Sequence, residues 1–166
     1  MARPATKAAR AAEKGDARPH DAEGYLPHSL SRLMNALNGQ LMKALRPTDL
    51  TIQQFRVMQF LRWVGVASIS EICKGTVIEQ SVVSRIVDQL QQRGFASRSR
   101  SAVSGRVVEV TLTAVGVAVY DALDPQARRI VEATVTVLKP AEQQQLHGLL
   151  NRLFEQVQKL EQDGGE

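Results

Sequence analysis

A single cysteine, Cys73, excludes an intrachain disulfide. Three scattered histidines, His20, His28 and His147, offer no zinc-ligand spacing. No apolar run approaches the length of about 18 residues that a membrane-spanning helix needs. Residues 1–24 lack the apolar core of a secretory signal and read as a weakly basic, disordered tail. A reducing, cytoplasmic setting with no membrane partner is the expectation. The chain also lacks a G-x-S-x-G elbow, a phosphate-binding glycine loop, and a nucleophile with a readable base. Neither an enzyme nor a cofactor or metal site is therefore expected.

What is present is a soluble-type composition, 43% hydrophobic and 23% charged over 166 residues, the size of one compact domain with appended helices. The net charge of +4 is modest, but its distribution is uneven. Arg3, Lys7, Arg10, Lys14 and Arg18 stand in the tail against Glu13 and Asp16. Between residues 81 and 106, Arg85, Arg93, Arg98, Arg100 and Arg106 face Asp88 alone, whereas residues 140–166 are acidic. Positive charge is concentrated where a polyanion can be met.

Apolar spacing divides the chain. Leu26, Leu30, Leu33, Met34, Leu37, Leu41 and Leu45 form one stripe of an amphipathic helix that Pro47 stops. Leu50 to Val64 reads as a second helix, capped by Thr51, apolar all round and so buried on several sides. Ser68 and Glu71 have the spacing of a capping box for a short helix that Gly75 closes. A further helix starts at Glu79 and buries Val82, Val83, Ile86, Val87 and Leu90, with Gly94 as its stop. Residues 95–113 read as a two-stranded ribbon turning at Ser104 and Gly105. Helix returns from Thr113 toward Leu138, with Pro125 expected to break or kink it and Asp124 to cap the restart. The last helix repeats a stripe: Leu146, Leu149, Leu150, Leu153, Phe154, Val157 and Leu160.

The predicted class is therefore mainly α with a small two-stranded β-wing, a winged helix-turn-helix flanked by terminal helices. Its parts are a tail (1–24), a first helix (25–47), a winged domain (48–113), C-terminal helices (114–162) and a frayed end (163–166). The major groove of B-DNA accepts one helix whose entering face is small or polar and carries a long donor. Gln80, Ser81 and Ser84 supply that face, and Arg85 can give two hydrogen bonds to guanine O6 and N7. Arg106 at the ribbon turn is placed for a minor groove or phosphate, and Arg98 and Arg100 for backbone charge. Singly these are ordinary surface arginines, and Arg85 has Asp88 and Glu79 within helical reach. Together, over two elements, they point to double-stranded DNA.

Leu50 to Gly116 resembles the MarR family of bacterial transcriptional regulators. The matching pieces are Leu50 to Val57, Glu79 to Arg85, Asp88 to Gly94, and Leu112 to Gly116. More loosely, the likeness spans residues 26–160. It implies an obligate, roughly triangular homodimer whose terminal helices interlace, on a pseudo-palindromic operator. Two striped helices beside a small winged domain also have more apolar surface than that domain covers, which itself favours a two-fold partner. Recognition helices would then lie about 34–36 Å apart. Where the family's wing carries Asp-x-Arg, this chain has Ser104, Gly105 and Arg106, so the acidic partner of the wing arginine is missing.

The resemblance further implies a repressor released by a small phenolic or carboxylate effector. Arg56 projects among Ile52, Phe60 and Trp63, while His28, Ser31 and Asn38 border the first stripe, and these are the effector candidates. Structural hydrogen bonds and an ion pair are the competing account of the same residues. Cys73 raises a thiol sensor as an alternative, although it sits on the buried side of its helix, and the family's thiol sensors keep their cysteine near the first helix. A winged-helix module that binds proteins is the other.

Overall fold

A computed structural model describes residues 25–100 and 107–163. The tail, the ribbon turn at Ser104 and Gly105, and Arg106 lie outside the described residues. By internal contacts the chain separates into two units, residues 1–36 and 37–166.

Helix α1 runs Leu26–Leu45 and passes into a single 3-10 turn, Arg46–Thr48, that accommodates Pro47. Helix α2, Ile52–Val64, starts at the expected cap: Thr51 Oγ1 accepts from Gln54 N–H, and Gln54 Oε1 accepts in return from Thr51 N–H. Phe55, Val57, Met58 and Leu61 of α2 are buried, but Trp63 at its far end is 66% exposed. The expected burial on several sides therefore fails at the last residues, Trp63 and Val64. Gly65, at φ +82, ends the helix and turns the chain into a strand.

That strand, β1 (Val66–Ser68), adds a third strand to the expected two-stranded ribbon. The sheet has three antiparallel strands in the order β1-β3-β2, with β2 at Ala96–Arg100 and β3 at Val108–Leu112. Ala67 pairs with Val110 across β1 and β3, and Arg98 pairs with Val110 across β2 and β3. Three residues are too few to show an alternating pattern, and Ser68 doubles as a helix cap, so β1 is set by its partner.

Helix α3 (Ile69–Thr76) has its expected box, Ser68 Oγ accepting from Glu71 N–H while Glu71 Oε2 accepts from Ser68 N–H. Hydrogen bonds from the Ser68 hydroxyl and then its N–H hold the Glu71 carboxyl below its ordinary pKa. The helix does not close at Gly75. A Cβ there would meet the Phe60 ring at 2.0 Å, so Gly75 serves close approach of α3 to α2. The left-handed closing position falls on Val77, at φ +55.

Helix α4 (Gln80–Gln92) buries Val83, Ile86, Val87 and Leu90. It ends with Phe95 N–H returning to Leu90 O and Gly94 N–H to Gln91 O, the paired bonds of a glycine-terminated helix. Helix α5 (Ala114–Val135) is continuous through Pro125, so of the expected break or kink the break does not occur. Tertiary anchors on both sides hold it: Tyr120, stacked on Phe55 at 5.3 Å, and Leu123 and Ala127 are buried. They offset an interior proline that costs about 3 kcal/mol. Asp124 caps nothing; its carboxylate accepts from the Tyr120 hydroxyl at 2.7 Å and from Arg128. Burial, then the bond to Asp124, pushes the Tyr120 hydroxyl up to about 12. Helix α6 spans Pro140–Asp163 and so includes Asp163, expected in the frayed end. Among the described residues no helix is long and apolar enough to cross a membrane.

A β-branched residue in the left-handed region costs about 1–2 kcal/mol, and the Val77 side chain is 76% exposed, with little packing to lose. Val77→Gly is expected to raise unfolding stability by about 1 kcal/mol, read from the urea midpoint. A lowered midpoint would show that the Val77 side chain has stabilising contacts.

Candidate DNA-binding face

Helices α3 and α4 pack on each other and on α2, leaving only Val77, Ile78 and Glu79 between them. With Val83, Val87 and Leu90 fixed in the core, the helical period points the opposite side of α4 outward. Gln80, Ser81 and Arg85 are exposed there, and Ser84 is half-buried. Arg85 makes no hydrogen bond or ion pair with any described residue, so its guanidinium is unengaged.

The other arginines of this region differ. Arg98 lies on β2, but its guanidinium turns back to α4, pairing with Asp88 and donating to Ser84 O at 3.3 Å. Asp88 is thereby occupied by Arg98 rather than by Arg85. Arg100 stands exposed at the end of β2. Arg93, to which the sequence pattern assigned no role, donates to Thr48 O and Asp49 O and lies 4.6 Å over the Phe95 ring. Gln54 and Gln89, 35 residues apart, share a 2.9 Å hydrogen bond. Only the four-residue spacing of Gln89 and Arg93 hinted that they act on one face.

Of the effector candidates, Arg56 donates to Asn38 Oδ1 at 3.1 Å, both half-buried. Trp63 is exposed on α2, and His28 and Ser31 are exposed in the 1–36 unit. Cys73 is half-buried and packs against the core.

A helix-turn-helix backed by a small antiparallel sheet is the winged-helix class. A model of the MarR family matches residues 48–107. A MarR-family transcriptional regulator from Silicibacter pomeroyi is 30% identical, with 83% of this chain covering 93% of that one at a TM-score of 0.74. The HTH-type transcriptional repressor NicR of Pseudomonas putida is 29% identical over 84% of this chain and 89% of its own. A structure of BpsR from Bordetella bronchiseptica concerns regulation of its DNA binding by 6-hydroxynicotinic acid. It is 29% identical, covering 81% of this chain and 96% of that one at a TM-score of 0.73. The chain belongs to the MarR family of transcriptional regulators.

Because Arg98 is spent on Asp88, Arg98→Ala is expected to lower preference for specific DNA while leaving the salt dependence of binding unchanged. Titrating affinity against salt checks this. A slope shallower by about one would place Arg98 on a phosphate instead.

Proposed function

We propose that this chain is a homodimeric, sequence-specific repressor that reads a pseudo-palindromic operator through α4 and is released by a small aromatic carboxylate. The unengaged Arg85, set among Gln80, Ser81 and Ser84 on the outward face of α4, carries the proposal. A guanidinium without an ionic partner keeps both of its parallel donors for a guanine edge. Arg100 and, at the ribbon turn, Arg106 supply backbone contacts.

Dimerisation rests on two exposed stripes, each considered by itself. In α1, Leu26, Leu30, Leu33 and Met34 are 37–48% exposed, and in α6 every large residue from Leu146 to Leu160 is likewise open. A partner's matching stripes cover such surface and set two copies of α4 one DNA turn apart. The division of labour follows: residues 48–113 meet DNA, and residues 25–47 and 114–162 dimerise.

The effector reading is supported by Arg56, a half-buried cation whose partner is the neutral Asn38 amide. A ligand carboxylate gives it a stronger, charge-assisted partner. BpsR, with 6-hydroxynicotinic acid, supplies the chemical class. Trp63, on the same helix as Arg56, is the further candidate within the 37–166 unit, while His28 and Ser31 stand as candidates on the sequence alone. A protein of this kind acts in the cytoplasm, where DNA and metabolite meet.

Binding of the purified chain to its own upstream DNA, titrated with salt against random duplex, tests the proposal. A large specificity ratio is expected, and equal weak binding to both would overturn it in favour of a protein-binding winged helix. Arg85→Ala is expected to cost about 1–3 kcal/mol on the specific site and to relax one base position per half-site. Equal loss on random duplex would put Arg85 on phosphate. Arg56→Ala is expected to keep DNA affinity while abolishing release by aromatic carboxylates; an intact response would remove Arg56 from the effector site.

A further inference from the structure

The C-terminal half of α4 is tied down differently from its N-terminal half. Gln89 and Arg93 are four residues apart, hence on one face one turn from each other. Arg93 meets the short connection between α1 and α2, and Gln89 meets the first turn of α2. Gln54 Nε2, on a residue only 6% exposed, donates to Gln89 Oε1, while Gln54 Oε1 is already fixed by Thr51 N–H. Arg93 gives one nitrogen to Asp49 O and another to Thr48 O. Thr48 Oγ1 in turn donates to Leu45 O, the last residue of α1, at 2.8 Å. Asp49 is held in the left-handed region at φ +51, so its carbonyl direction is set by an uncommon backbone conformation. On its other side the Arg93 guanidinium lies over Phe95, at the approach to β2.

One guanidinium therefore joins the end of α1, the end of the recognition helix and the start of the wing. Its donors point at backbone carbonyls, whose positions do not depend on any side-chain rotamer. The bases are read about eight residues away at Arg85, roughly 12 Å along the axis. We infer that Arg93 is a positioning residue that fixes the tilt of α4 against the α1–α2 connection and so sets the half-site spacing the dimer accepts, with Gln54–Gln89 as a second strut.

The inference rests on the operator reading above. In a two-fold dimer each recognition helix reaches its half-site through the helices that join the protomers. Any slack between α1 and α4 then becomes slack in the distance and rotation between half-sites. Inserting one base pair between half-sites displaces them by about 3.4 Å and about 35°, a change that a rigid mount resists and a loose one absorbs.

The test uses the full chain and an operator selected by it from random duplex, with the spacer lengthened or shortened by one base pair. The wild-type chain is expected to favour one spacing strongly. Arg93→Ala is expected to bring the ratio between correct and displaced spacing several-fold closer to one, while base preferences inside each half-site stay in the same order. Arg93→Lys, whose ammonium also reaches carbonyl oxygens, is expected to restore part of the ratio, and Gln89→Ala to shift it in the same direction as Arg93→Ala. An unchanged ratio in both alanine variants would overturn the inference. So would a uniform loss on every duplex with a salt slope shallower by about one, which is the mark of a phosphate contact. A wild-type chain indifferent to spacing would overturn this inference and the operator reading together. Spacing selectivity retained by wild type and variants alike would overturn this inference alone.

Discussion

Burial of Val83, Ile86, Val87 and Leu90 is the constraint from which the candidate interface follows. These four side chains take one side of α4 out of water against α2, α3 and β2. At about 1.5–3 kcal/mol for each fully buried aliphatic side chain, rotating the helix by even a third of a turn would forfeit more than a marginally stable domain can spare. The outward direction of Ser81, Ser84 and Arg85 is the remaining half of the same helical period. No contact of their own is needed to aim them. Val110 of the middle strand and Tyr120 of α5, both buried, close the core from the other sides. The capping boxes at Thr51 and Ser68 fix where the supporting helices begin, and so where each apolar position lands.

The arginines of residues 81–106 show why charge density alone does not define an interface. On paper Arg85, Arg93, Arg98 and Arg100 are alike. In the folded chain Arg93 is committed to two carbonyls and a ring and Arg98 to Asp88 and Ser84 O, whereas Arg85 has no partner among the described residues. The Asp88–Arg98 pair is partly exposed, so its contribution to stability is small. Its consequence is geometric. It joins strand β2 to α4, and it occupies the one carboxylate of α4, which could otherwise pair with Arg85. A negative group on α4, left unpaired, would oppose the phosphates.

Local signals made much of this legible in the sequence. The stripes of α1 and α6, the caps at Thr51 and Ser68, and the face of α4 each depend on residues within one or two turns, and each stands as the spacing predicts. What stayed hidden was set by distant partners. Val66 to Ser68 is a strand because Glu109 to Thr111 pairs with it, and three residues carry no period. Gly75 looked like a stop because glycine favours left-handed turns, yet here it is spent on contact with Phe60, and Val77 takes the strain. Pro125 looked like a break or kink because a lone helix could not carry it, whereas the buried Tyr120, Leu123 and Ala127 keep α5 continuous through it. On the candidate face, the residue types of α4 were legible. The allocation of Arg93 and Arg98 was not, because each pairs with a group on another element.

The two halves of α4 are consequently built for different tasks. The outward side of its first two turns carries small or polar groups and one guanidinium that no described residue engages. Its last turn is pinned through Gln89 and Arg93 to residues 48–54. A reading surface benefits from side chains that can settle onto base edges, since each bond to a base must replace one to water. A mount benefits from the opposite. The pinned end is also the end joined by hydrogen bonds to α1 through Thr48 and Leu45. A shift of residues 45–49 would therefore act on α4 at its pinned end, away from Gln80, Ser81, Ser84 and Arg85. Under the operator and effector readings proposed above, only the orientation of α4 would have to differ between two states, and a ligand would favour one of them by the difference in its affinity for the two.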